Sequence, residues 1–168
     1  PSNGWQNDIS LRLCSAEFSK SPVEAHIVRI GGVPGRRSDT PNRVVYAAAG
    51  FFIAHASFLG ALPFDPFLPF IFKGEEVHLS ARFFTHGWDI YAPTLNLCAH
   101  EYRPGRLGLL KFWETTARTF GRSDFNTRLT NVIIDRIKYV VGYPDVPPSP
   151  VLAYLHDPVW PIFSLVCT

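Results

Sequence analysis

A mixed α/β domain is what this sequence predicts, and three observations carry that expectation. Apolar residues make up 46% of the 168-residue chain and charged residues 18%, the balance of a chain that buries a core. Val77, Ala81 and Phe84 recur at i, i+4 and i+7, and Leu129, Val132, Ile133, Ile137 and Val140 repeat the helical period further on. Between the two, Leu95, Leu97 and Ala99 alternate with Asn96, Cys98 and His100, the period-two pattern of a half-buried strand.

Taken in order, residues 1–43 read as an irregular lead-in. Asp8 to Glu17 is mixed in pattern, Val23 to Ile30 predicts a short strand, and Gly31 to Asn42 is a Gly/Pro-rich loop. Residues 44–142 form the main unit. Val44 to Phe64 carries no Asp, Glu, Lys or Arg, a run long enough to cross a membrane, but Gly50, His55, Ser57, Gly60 and Pro63 interrupt it. Two buried strands, or a strand and a short helix split near His55 to Ser57, fit it better. A helix is predicted from Glu75 to a stop at Gly87, a short strand over Trp88 to Tyr91 ending at Pro93, and a second helix from Phe125 to Val141, closed by Gly142 and Pro144. Residues 143–168 are a Pro-rich extension.

Composition excludes several functions. A net charge of +2 is too small for a polyanion-binding surface, so no nucleic-acid partner is expected. Three cysteines, Cys14, Cys98 and Cys167, are odd in number and far apart, which is neither a disulfide framework nor a zinc spacing and favours a reducing compartment. No secretory signal opens the chain, and a cytoplasmic location is the expectation. The chain starts at Pro1 and holds 0 Met, from which we expect part of a longer protein. No Gly-x-Ser-x-Gly, P-loop, Asp-x-Asp or Asp-x-His occurs.

The site candidates cluster between Val44 and Arg103. Glu75 and Glu76 in the first turn of a helix complement its dipole, and equally offer paired carboxylates to sugar hydroxyls. Gly74 before them lets a ligand approach the backbone. His100 is either a half-buried strand-end histidine or a metal ligand, and Arg103 either a surface arginine or a fork for phosphate oxygens. His78 and His86 read as structural, His86 through the helix dipole. Trp88, Phe112 and Trp113 are core aromatics or sugar platforms.

These residues in this order resemble the GlcNAc-transferase family whose best-known members modify a hydroxyproline of a ubiquitin-ligase adaptor. The likeness lies in Tyr46 to Phe52, Leu62-Pro63-Phe64-Asp65-Pro66, Leu68 to Phe72, Gly74-Glu75-Glu76, Ala81 to Asp89, Ala92-Pro93-Thr94, Lys111 to Glu114, and Arg136-Ile137 with Val140-Val141-Gly142. More distantly the chain is similar to mucin-type polypeptide GalNAc-transferases. The resemblance implies the C-terminal half of a GT-A-type, Rossmann-like mixed-sheet domain and a retaining, metal-dependent transfer of N-acetylglucosamine. UDP-GlcNAc is then the donor, manganese or another divalent cation the cofactor, and a protein or peptide hydroxyl the acceptor, with no membrane span. It implies that Gly50 approaches the donor sugar, Glu75 and Glu76 contact its hydroxyls, His100 binds the metal and Arg103 the diphosphate. Asp65, Gly74, Trp88 and Trp113 join them as candidate substrate contacts. The family's upstream nucleotide-binding units and acidic metal motif have no counterpart here, so the expected site is half a site. The alternatives are a transferase relic that binds glycan or peptide without chemistry, and a small membrane-associated protein built on Val44 to Phe64.

Overall fold

The computed structural model describes residues 9–24, 27–36, 38–98, 107–108, 110–121 and 124–143. It opens with an antiparallel hairpin, β1 (Ile9–Phe18) against β2 (Val28–Arg36), with a register shift between Leu13 and Ser15 and a 3-10 turn at Pro22–Glu24 ahead of β2. This corrects the irregular lead-in and the loop expected from Gly31. The glycines that read as loop serve the strand: Arg12 folds over Gly35, with its Nε 3.2 Å from where a Cβ would be, and the Ser15 hydroxyl lies over Gly31. Side chains on β2 at those positions would displace those of β1.

A second small sheet pairs β3 (Asn42–Val44) antiparallel with β4 (Ile90–Ala92). Four helices complete the described chain: α1 (Ser57–Ala61), α2 (Glu75–Thr85), α3 (Phe112–Phe120) and α4 (Asp124–Val140). The α/β character is thus present, but every strand pair among the described residues is antiparallel and the sheets have two strands each. A parallel, Rossmann-like sheet is not among these elements. Residues 94–98 form no strand and Asn96, Leu97 and Cys98 are exposed, so the alternation there finds no partner strand; His100 lies outside the described residues.

Helix α2 stands between two cores. On one side Val77 meets Ile27, Val28 and Leu68 with Ile133 and Ile137 of α4. On the other, Leu79 and Phe83 pack with Ala47, Phe58 and Leu62, flanked by Trp88 and Ile90. Each such side chain removed from water contributes about 1.5–3 kcal/mol. Both long helices stop as the sequence predicts. Trp88 N–H reaches Phe83 C=O at 2.9 Å and Tyr143 N–H reaches Lys138 C=O at 2.9 Å, across Gly87 and Gly142 at positive φ. On α4 the buried stripe runs through Ile133, Ile134 and Ile137, with Val141 buried just past its end, whereas Val132 is 55% exposed.

Gly74 caps α2 at φ 83°, where an L side chain is strained, and a Cβ there would collide with the Ile27 methyl and stand 3.0 Å from Ile137 Cδ1. Packing, not ligand approach, therefore demands glycine at this point. Gly74→Ala is expected to cost about 2 kcal/mol from backbone strain and overpacking together. Urea unfolding checks this, and an unchanged midpoint refutes it.

Candidate functional site

The loop Ala47–Gly50 is fastened to the first turns of α2. Glu76 Oε1 accepts the Ala49 N–H at 3.0 Å, and Ser80 Oγ accepts the Ala47 N–H at 2.9 Å while donating to Glu76 C=O at 2.5 Å. Ser80, 2% exposed, is a functional-region residue that the sequence reading missed. Its signal was its place one helical turn after Glu76, on the same face. Gly50 follows directly, exposed, with no atom within 4 Å of where a Cβ would be. The structure thus brings Glu76 and the loop that leads to Gly50 together.

Glu75, the residue before Glu76 in the first turn of α2, is half-buried. Burial pushes its proton affinity up, its own backbone N–H works against that, Glu76 adds to it and Lys73 opposes it. A carboxyl held above its ordinary range is suited to hold or share a proton with a hydroxyl. Lys73, immediately before Gly74, is anchored by Glu24 at 2.5 Å, and Glu24 also receives the Ser19 hydroxyl. These two bonds, the Lys73 one first, hold the Glu24 carboxyl below its ordinary value.

Asp65 faces the other way. Its Oδ2 accepts Arg136 Nε at 2.9 Å and Nη2 at 2.7 Å, while Oδ1 accepts the Phe67 N–H at 2.9 Å in an Asx turn. The side chains of Asp65 and Arg136 are 8% and 4% exposed, so this carboxylate is engaged in the interior and is not open to a substrate. His78 Nε2 is buried 3.7 Å from Asp65 Oδ2 and makes no hydrogen bond among the described residues.

Trp88 sits half-buried, edge-on to Phe83 at 6.4 Å, and lines a cleft of about 510 Å³ that also takes in Ala47, Ala48 and Phe51 of the fastened loop. Burial raises the Tyr46 hydroxyl pKa in the same cleft. Trp113 lies on α3, its side chain outside what the structure describes, and Arg103 and His100 lie outside the described residues. Among the described residues no three His, Cys, Asp or Glu side chains gather in a set able to hold a metal ion. Cys14 is disulfide-bonded and Cys98 is free and exposed, which goes against the inference, from cysteine number and spacing, that the chain favours a reducing compartment. No helix among the described residues is long and apolar enough to cross a membrane, and Phe51, Phe52 and Ile53 of the charge-free run are 49%, 37% and 78% exposed.

A concave, mostly apolar cleft beside a few convergent polar groups is the form of a small-ligand or polymer-binding site in an α/β protein. The family model for glycosyltransferase (GlcNAc) matches residues 2–157, and the chain belongs to that family. The matched span thus extends beyond residues 44–142 on both sides. Neither a curated protein nor a solved structure matches the chain.

Proposed function

We propose that this chain forms the acceptor-side part of a transferase that moves N-acetylglucosamine from UDP-GlcNAc to a hydroxyl of a protein or peptide. The observation that carries this reading is the Glu76–Ala49 bond, which sets the Glu76 carboxylate beside the bare Gly50 in a loop whose Ala47, Ala48 and Phe51 line the cleft. Glu76 spends Oε1 on the loop and keeps Oε2 for a sugar hydroxyl; Gly50 leaves room for the ring. Glu75 supplies a second contact, and its raised proton affinity favours sharing a proton with the sugar as charge develops at the anomeric carbon.

In the transfer, the bond from the anomeric carbon to the UDP oxygen breaks as the acceptor oxygen bonds to that carbon. The acceptor's proton leaves and UDP departs with the electron pair. Retention of anomeric configuration is part of the proposal and rests on the family likeness. So does a divalent cation, which when bound neutralises charge on the departing UDP. His100 and, for the diphosphate, Arg103 are this chain's candidates for those contacts. The described residues do not by themselves make a cation set. The disulfide at Cys14 removes the cysteine argument for a reducing compartment, so the proposal is independent of location.

The test is UDP release and GlcNAc incorporation by the full-length protein. Glu75→Gln and His100→Ala are each expected to lower turnover at least about 100-fold with the fold intact by circular dichroism. Wild-type rates in both variants sink the reading.

A further inference from the structure

The segment Val45 to Ala54 belongs to no helix or strand, and among the described residues just two hydrogen bonds involve it. Both go to α2, from Ala47 N–H to Ser80 Oγ at 2.9 Å and from Ala49 N–H to Glu76 Oε1 at 3.0 Å. Amides two residues apart are separated by about 6.6 Å in extended chain. Their acceptors are one helical turn apart, about 5.4 Å, and the longer Glu76 side chain takes up the difference. The segment thus crosses α2 in the opposite direction, with Gly50 immediately beyond the Glu76 rung.

The two rungs differ in what holds them. Ser80 is 2% exposed and Ala47 4%, and an N–H buried there without an acceptor would be costly. The Ser80 hydroxyl is also directed, because its own proton goes to Glu76 C=O at 2.5 Å and leaves a lone pair for Ala47. Back-bonding to the preceding turn is ordinary for a helix serine. Accepting an N–H from 33 residues away is not. The Glu76 rung, by contrast, is exposed to water, and a long side chain loses rotamer freedom to make it. Such a bond fastens a loop only where the loop already lies within reach.

We propose that Ser80 is a positioning residue for the transfer: it sets the loop through Ala47, and the loop in turn aims the Glu76 carboxylate at the sugar. Ser80 acts from the interior, through its neighbours. The reaction is that of the transferase reading, on which this role rests, while the hold on the loop stands on the two bonds alone.

The experiment combines steady-state transfer from UDP-GlcNAc with amide hydrogen exchange, both on the full-length protein. Ser80→Ala is expected to lower kcat/KM at least tenfold. In a Glu76→Ala background, where no carboxylate is left to aim, the same change should lower it no more than threefold. Inhibition by uridine diphosphate should change less than twofold, since neither rung faces the nucleotide in this reading. The Ala49 N–H, which Ser80 does not touch, should exchange at least threefold faster in Ser80→Ala. Where Ser80→Ala does not fold, Ser80→Cys fills a similar volume with a poor acceptor and carries the same expectations.

Equal factors in the two backgrounds, or an equal loss of uridine diphosphate binding, mark a merely structural serine and overturn the proposal. An unchanged Ala49 exchange rate overturns it as well. Full transfer by Ser80→Ala removes the positioning role and leaves the transferase reading standing. If the wild-type protein transfers no GlcNAc, the transferase reading falls and the positioning role with it; exchange at Ala49 then decides whether Ser80 holds the loop.

Discussion

Asp65→Ala destabilises the protein by about 3–5 kcal/mol, because it leaves the Arg136 guanidinium buried with no carboxylate. The remaining contact of that guanidinium, 5.1 Å over the Phe67 ring, does not replace two charge-assisted hydrogen bonds. The turn itself loosens too, since Phe67 N–H loses its acceptor. Against a total stability of about 5–15 kcal/mol for a typical domain, such a loss brings the chain near unfolding at ordinary temperature. Replacing both partners, Asp65→Leu with Arg136→Met, restores most of the loss, because a buried pair seldom outperforms well-packed apolar residues. Urea midpoints of the single and double variants check this. A small cost for Asp65→Ala alone, with activity lost while the fold holds, would instead place Asp65 at the substrate.

The second large effect is a loss of stability in mild acid, centred on His78. Burial, aided by Arg82, lowers its pKa from 6.5 to about 4, with Asp65 opposing and Arg136 adding to the fall. The groups facing it therefore come from α2 itself, from the Asx turn and from α4. In the unfolded chain the imidazole takes its proton near its ordinary pKa, so acid draws the equilibrium toward unfolding. The His78 contribution is fully present above about pH 6.5 and is lost as pH falls toward 4; a displacement of that size is worth about 3 kcal/mol.

Two other groups need separating from it. Glu24, held low, loses its contribution only below its ordinary 4.5. Glu75, held high, acts in the opposite sense, so the comparison belongs in a Glu75→Gln background. There, stability should fall between pH 6.5 and 4.5, and His78→Leu should flatten that slope. A slope unchanged by His78→Leu assigns the acid sensitivity elsewhere.

Helices with strong periodicity and glycine stops were legible in the sequence. α2 and α4 have the expected bounds to within a residue or two, since the apolar period and the Gly87 and Gly142 ends are local signals. The hairpin was not legible. Gly31, Gly32, Pro34 and Gly35 read as loop because the reason for them lies on the opposite strand, where Arg12 and Ser15 need the space.

α3 was missed for a related reason. Lys111 stands at its N-cap in place of a Ser, Thr, Asp or Asn, and the start is secured from the far side, by Glu114 accepting the Lys111 N–H at 2.9 Å. Val132 was assigned to the buried stripe by spacing alone, but α4 also buries Arg136 and Lys138, which turns the covered face away from it. At the site, the carboxylate pair and the bare glycine were visible as residue types. That Asp65 points into the core while Glu76 points at a loop depends on partners 71 and 27 residues away in sequence, which no local pattern encodes.

The Glu24–Lys73 ion pair and the seat of Gly74 on Ile27 have a consequence for motion. The first turn of α2 is held by the connection between β1 and β2, so fraying of that turn has to break the Glu24–Lys73 ion pair and lift Gly74 off Ile27. The position of the carboxylates at the helix start is thus tied to a connection some fifty residues earlier in the chain, and a loosening of that connection is felt at Glu75 and Glu76.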